Sequence, residues 1–251
     1  MAILQNITQD GILEVVMENP PVNALNIDDT FEIANIFNSV AKSVDVKVAI
    51  LTASGKGFCA GVDIKEIQSL SGNEGILNVN QACYEAFAAV YECAVPVIAA
   101  VNDFCLGTGI GLVGAADIVV AAEEAQFGLP EVDNGALGAL THLKRLVPEQ
   151  RARQMLYTCE TAAAEELARY GTIYDVVPNT KLMDTACTLA KQIAEKPSRT
   201  VRAAKKSANG IEMLDIRNSY RYEQGYTFEL NLAGEGEKAR QAFLDGERKK
   251  S

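Results

Sequence analysis

The sequence predicts an α/β fold with a helical C-terminal region, on three observations. Short, β-branched apolar runs recur through the first half of the chain, separated by segments long enough for helical crossovers between parallel strands. These runs lack a polar alternation, as strands covered on both faces do. Beyond about residue 145 the apolar spacing takes a helical period instead.

Taken in order, Ile12–Met17 reads as the first strand and leads into a turn at Pro20 and Pro21. A helical pattern follows over 28–44, then a strand over 46–52 bounded by Gly55 and Gly57. A helix is read over 76–93, and Val97–Val101 and 118–121 supply two further strands. In the last third, Glu149–Thr158, 162–170, Leu182–Ala194, 199–209 and 215–231 have helical spacing, and only 173–177 is strand-like. No repeat, low-complexity tract or Ser/Pro linker marks an autonomous second domain. The organisation expected is therefore an α/β core over residues 1–195 with a helical extension over 196–251 that packs on its own core or on a neighbouring subunit.

Composition excludes several classes of function. With 251 residues, 48% of them hydrophobic, the chain is long enough to bury a substantial core. Lys+Arg 23 against Asp+Glu 33 gives a net charge of −10, so no overall field attracts nucleic acid or an anionic membrane, although a few local cations can still hold a small anion. The cysteines, Cys59, Cys83, Cys93, Cys105, Cys159 and Cys187, form no C-x-x-C pair and have one histidine for company, so metal-ligand spacing is absent and reduced thiols are expected. The first residues lack a basic region and long apolar core, and the most apolar stretch is interrupted by Asp117, so a soluble, cytoplasmic protein is expected.

Three stretches carry possible chemistry. The first, SGKGFCAGVDIK over 54–65, is a glycine-punctuated loop after a strand. It fits a plain strand-to-helix connection, and equally a loop whose backbone N–H groups approach a ligand, with Lys56 and Lys65 beside it. The second, NDFCLGTGIGL over 102–112, follows a strand and enters a helix. Its G-x-G-x-G spacing is not the dinucleotide fingerprint, but a helix N-terminus still offers unpaired N–H groups to developing negative charge. The third, QFGLPEVDNG over 126–135, sets Glu131 among apolar neighbours. That suits acid/base work and also a paired structural glutamate. His142, the only imidazole, lies between apolar residues and by itself favours a structural role; no Ser/His/Asp constellation surrounds it.

Together with NPPVNAL over 19–25 and PVIAAVN over 96–102, these stretches resemble the crotonase (enoyl-CoA hydratase/isomerase) superfamily over nearly the whole chain. The resemblance implies a core of repeated ββα units, a helical C-terminal trimerisation region, and homotrimers or homohexamers. It implies an acyl-CoA substrate, with no cofactor beyond that CoA moiety. The thioester oxygen would sit between the backbone N–H groups of Val62 and Thr108, the latter replacing the glycine usual in the family. Val22, Ala24, Ala60, Asp63 and Ile64 would line the adenine and pantetheine path, with Lys56 and Lys65 near phosphates. Phe243, Arg248 or Lys249 would close the CoA site in this or a neighbouring subunit.

A hydratase of this superfamily uses two glutamates, of which this sequence offers one: Glu131 matches the second, and Gly111 stands where the first would be. The resemblance then favours crotonases that hydrolyse a C–C bond, or isomerases that move a double bond. Segments such as EQGYTFELNLAG over 223–234 resemble the branch that opens a ring of a bicyclic steroid-derived indane-dione carboxyl-CoA. For that reaction Glu131 is the expected general base, with His142 second and Glu223 third. The alternatives are a Δ3,Δ2-enoyl-CoA isomerase, a hydratase of fatty-acid type, and a non-catalytic crotonase-fold binding protein. Tyr84, Tyr91, Cys83 and Cys93, on the helix over 76–93, either line the acyl pocket or fill the core.

Overall fold

A computed structural model describes residues 3–211 and 216–246; the side chains of Ile211, Ser219, Tyr222, Glu223, Tyr226, Glu235 and Ala239 lie outside the described part. The chain runs β1 (Ile3–Ile7), β2 (Ile12–Met17), α1 (Ile27–Ser39), β3 (Val48–Ala53), α2 (Ile64–Ser69), α3 (Glu74–Tyr91), β4 (Val97–Val101), β5 (Cys105–Leu106), α4 (Thr108–Ala115), β6 (Ile118–Ala122) and β7 (Gln126–Gly128). It continues α5 (Leu140–Leu143), α6 (Glu149–Thr158), β8 (Ala162–Ala163), α7 (Ala164–Arg169), β9 (Asp175–Val177), α8 (Leu182–Ala194), α9 (Ser198–Ile211), α10 (Ile216–Leu232) and α11 (Glu235–Leu244).

One sheet has the order β1-β2-β3-β4-β6-β9, antiparallel only at β1–β2 and otherwise parallel. Val15, Leu51, Ala99 and Val119 stand side by side across its middle, all buried. Both faces are covered, which explains the missing alternation. Val48, Ile50, Ile98 and Val120 point to α8, where Leu182, Ala186 and Leu189 meet them; Ala49, Leu51 and Val119 point into the main core with α1 and α3. Each large aliphatic side chain so buried contributes ~1.5–3 kcal/mol.

A smaller sheet, β5-β7-β8, runs beside the first. Cys59 bridges in parallel to Cys105, and Cys105 pairs with Phe127, so β3, β4 and β6 are each followed by a short stretch in the small sheet and then by helix. This is the repeated ββα core. Its consequence is positional: the residues just past Cys59, Cys105 and Phe127 are delivered to one edge of the small sheet, turn after turn.

Several boundaries differ from the sequence reading. The helix expected over 28–44 is closed at Ser39 by a 3-10 turn, Val40–Lys42, and starts at Ile27 because Asn26 caps it, accepting from the Asp29 N–H at 2.7 Å. The strand over 46–52 is Val48–Ala53, and that over 173–177 is only Asp175–Val177. The helix over 162–170 begins two residues late because Ala162 pairs with Phe127 in the small sheet. In the C-terminal part, α10 packs on α3 and α5, and α11 on α2, so these helices fold back over the side of the core where the small-sheet edge lies. Lys205 on α9 holds both Asp117 carboxylate oxygens at 2.7 Å, and Arg202 donates to the carbonyls of Ser43 and Val46, fastening the extension to the core. Among the described residues no helix is long and apolar enough to cross a membrane.

Candidate active site

The loop after β3 is held open by Asn23. Its buried amide donates to the carbonyls of Ser54 (2.9 Å) and Gly57 (2.8 Å), while its oxygen accepts the Asn19 N–H at 2.7 Å. Beyond it the chain lies along Phe104–Leu106, with Phe58 N–H donating to Phe104 and Leu106 N–H to Cys59. Leu25 N–H then donates to Gly61 C=O and Asp63 N–H to Leu25 C=O. Because successive peptide groups in an extended chain face opposite ways, this bridge uses the groups flanking Val62 and turns the Val62 N–H to the other side, toward a cleft that Val62 lines.

The second donor is built by Gly107. Its φ of 56° and ψ of −112° suit glycine alone, and its own N–H is taken by Gly128 C=O at 3.1 Å. The backbone therefore turns sharply into α4, whose first intrahelical bond is Gly111 N–H to Gly107 C=O, leaving the Thr108 N–H without an acceptor within the helix. Thr108 is an ordinary first helical residue, so the positive φ is carried before it and its side chain is no obstacle. A Cβ on Gly107 would lie 3.3 Å from Gly61 Cα, so the two loops meet at their glycines and bring Val62 and Thr108 together at the cleft.

Glu131 completes this group. Its carbonyl accepts the N–H groups of Asn134 and Ala136, both at 2.9 Å, in a turn closed by left-handed Gly135. The carboxylate fits between two bare backbones: a Cβ on Gly107 would lie 2.5 Å from its Oε1, and one on Gly138 2.5 Å from its Cδ. Glu131 is the one carboxylate among the described residues lining the cleft, which encloses about 790 Å³ including its mouth.

The rest of the wall comes from helices. Ile76, Val79, Cys83 and Phe87 on α3 form an apolar side, and Tyr220 and Thr227 on α10 and Arg240 on α11 close it from above. Cys83 Sγ lies 3.8 Å from Thr108 Oγ1, and burial pushes its thiol up to about 11, so it stays protonated. A Cβ on Gly111 would collide with the Phe87 ring, so the position where a second glutamate would stand is filled by an aromatic side chain.

The structure does not bring His142 into the cleft. It lies behind Phe87 and Tyr220, with ring centroids 4.9 and 5.3 Å away, fully buried. Burial, and secondarily the charge of Arg145, lower its pKa to about 3, so the ring is neutral, and neither ring nitrogen has a hydrogen-bond partner among the described residues. The side chain of Glu223, and all of Arg248 and Lys249, lie outside the described residues. Phe243 is partly exposed on α11.

Of the residues expected along a CoA path, Ala60 and Ile64 line the cleft directly, and Val22 is tied to Ala60 through the Ala60 N–H to Val22 C=O bond at 3.1 Å. Ala24 precedes the Leu25 bridge, and Lys56 and Lys65 are exposed on the loop and on α2. The Asp63 carboxylate is occupied in capping α2, accepting from the N–H groups of Lys65 and Glu66. Tyr84 and Tyr91 face away from the cleft, Tyr84 beneath Arg221 (3.9 Å) and Tyr91 beneath Arg145 (5.3 Å), while Cys93 fills the core. Sequence reasoning missed Asn80, Phe87, Tyr220, Thr227 and Arg240, whose inward direction depends on how α3, α10 and α11 dock.

A family model described as enoyl-CoA hydratase/isomerase matches residues 7–249. Over 245 residues, 98% of this chain and 95% of the relative, the chain is 51% identical to the (7aS)-7a-methyl-1,5-dioxo-2,3,5,6,7,7a-hexahydro-1H-indene-carboxyl-CoA hydrolase of Rhodococcus jostii (strain RHA1). It is 48% identical over 244 residues, 97% of this chain and 99% of the relative, to the protein of the same name from Mycobacterium tuberculosis. A crystal structure of an enoyl-CoA hydratase from Mycobacterium avium subsp. paratuberculosis K-10 superposes with a TM-score of 0.87 over 100% of this chain and 98% of that one; at 20% identity this is a likeness of fold alone.

Proposed function

The chain belongs to the enoyl-CoA hydratase/isomerase family, and from that premise we propose that it hydrolyses a C–C bond in the ring system of a bicyclic indane-dione carboxyl-CoA. It is an enzyme acting on a CoA thioester. The observation that carries the reading is the single carboxylate, Glu131, seated between Gly107 and Gly138 beside the Val62 and Thr108 amides, with Phe87 where a second carboxylate would stand.

In this reading the thioester oxygen accepts hydrogen bonds from the Val62 and Thr108 N–H groups. Glu131 takes a proton from water, whose oxygen adds to a ring ketone. The adduct collapses to a carboxylic acid as the adjacent C–C bond breaks, and its electron pair runs through the conjugated system to the thioester oxygen. That oxygen is charged in the transition state more than in the ground state, so fixed N–H dipoles aimed at it accelerate the step selectively. The enolate then takes a proton on carbon, and CoA stays attached. The reaction is redox-neutral and uses no cofactor beyond the CoA moiety.

Val22, Ala24, Ala60 and Ile64 would carry the CoA arm, with Lys56 and Lys65 near its phosphates; Asp63 supports that rim by capping α2. All six cysteines are free, which supports work in the reducing cytoplasm. Exposed Leu232, Phe243 and Leu244 on the C-terminal helices support assembly through them as a homotrimer or homohexamer, checked by light scattering.

The test is to supply the bicyclic thioester and, separately, crotonyl-CoA. A new carboxylate in the first by NMR, with crotonyl-CoA unchanged, supports the reading. Double-bond migration without uptake of water would favour the isomerase, which also needs only one carboxylate.

A further inference from the structure

Asn80 is a polar side chain of the cleft wall to which this mechanism gives no role. It sits in the middle of α3 with 7% of its surface exposed, on the same apolar face as Val79 and Cys83. Its Nδ2 has no hydrogen-bond acceptor among the described residues. A buried amide donor left unpaired is destabilising, and helix interiors do not favour asparagine. Its position is also fixed from outside: Gln224 on α10 donates its side-chain Nε2 to the Asn80 carbonyl, clamping α10 to α3 at this level. A donor without an acceptor among the described residues, set in an otherwise apolar face of α3, is a site for an acceptor oxygen on the ligand.

The placement says which oxygen. Cys83, one turn along α3 from Asn80, touches Thr108 at the thioester donors. Three residues of helix advance ~4.5 Å, so Asn80 lines the cleft about one helical turn from the level of the thioester donors. We propose that Asn80 Nδ2 donates a hydrogen bond to the ring-ketone oxygen that water attacks, forming a second oxyanion site remote from Val62 and Thr108. This inference rests on the ring-opening reading above. As water adds, the ketone oxygen gains negative charge that an N–H already in place stabilises; collapse of the adduct rebuilds the C=O there and sends the charge through the breaking C–C bond to the thioester oxygen. A fatty-acyl thioester has no oxygen at this place, so the same donor selects for a ring ketone: an acyl group without one leaves the donor buried and unsatisfied.

The experiment compares the full-length enzyme with Asn80→Leu, which keeps volume and removes the donor, and with Asn80→Asp, which keeps shape and replaces the donor with an acceptor. On the bicyclic thioester both variants should lose about 10²-fold in kcat, the loss typical of one oxyanion donor, while affinity for acetyl-CoA is unchanged. A second readout uses Glu131→Gln enzyme to hold the bicyclic thioester carrying ¹³C at the ring ketone. The ketone stretching frequency should be lowered on binding, and should return toward its value in water when Asn80→Leu is added. Unchanged kcat in a variant that circular dichroism shows to be folded, or a ketone frequency indifferent to residue 80, would overturn the inference and leave the ring-opening reading standing. Failure of the wild-type enzyme to open the ring would remove both.

Discussion

The aromatic ring of Phe87 lies against Gly111 so closely that any side chain at 111 would collide with it. This pair accounts in packing terms for a glycine at the position where the family resemblance would set a second glutamate. The space a second carboxylate would need belongs to a ring that also lines the cleft and lies edge-on to His142 and tilted against Tyr220, with ring centroids 4.9 Å apart in both pairs.

Gly111→Glu therefore will not create a hydratase. Overpacking of this kind costs ~1–3 kcal/mol, and burial of a carboxylate beside an aromatic ring adds to it. Urea unfolding should show that loss, and Phe87→Ala in the same chain should recover part of it; crotonyl-CoA should remain unhydrated by the single variant.

Glu131→Gln keeps the shape of the side chain and removes its basicity. Turnover of the bicyclic thioester should fall by ~10²–10⁴, with CoA-thioester affinity within a few-fold of wild type. Steady-state kinetics beside calorimetric binding separate the two effects.

Gly138→Ala would set a methyl group 2.5 Å from the Glu131 carboxyl carbon. The carboxylate has to shift, and an error of that size in a reacting group lowers kcat about tenfold or more while leaving CoA affinity unchanged. Gly107→Ala is predicted to be worse, because φ at 107 is also positive at 56°; Tm as well as kcat should drop.

Much of the scaffold was legible in the sequence, and the failures have physical causes. Ile12–Met17, Val97–Val101, Glu149–Thr158 and Leu182–Ala194 were read to the residue because each is patterned by the core it faces. Strand β1 was not read, since only Ile3 of its five residues is buried, and the two- and three-residue strands of the small sheet are too short to carry a period. In the cleft, Glu131 was read from its own stretch, and Val62 and Thr108 came from the family resemblance; glycine turns place all three at the cleft. Asn80, Phe87 and Tyr220 could not be read: on α3 and α10 an inward position means core or cleft according to how the helices dock.

His142 gives a pH signature of stability rather than of catalysis. Its pKa falls from 6.5 to about 3 on folding, so between those values the unfolded chain binds a proton that the native chain does not. Stability from this residue is fully present above pH 6.5 and is lost as pH falls toward about 3. His142→Phe should flatten the pH dependence of urea unfolding by one proton over that window and keep kcat at pH 7 within a few-fold; a large loss of kcat in a folded variant would return His142 to the mechanism.

The most direct measurement of the central claim is to turn over the bicyclic thioester in H₂¹⁸O and locate the label by mass spectrometry and ¹³C NMR. Ring opening puts one ¹⁸O in a new carboxylate formed by C–C cleavage and leaves the CoA thioester intact. Label in an alcohol, label in an acid released with free CoA, or a rearranged double bond without label would contradict it.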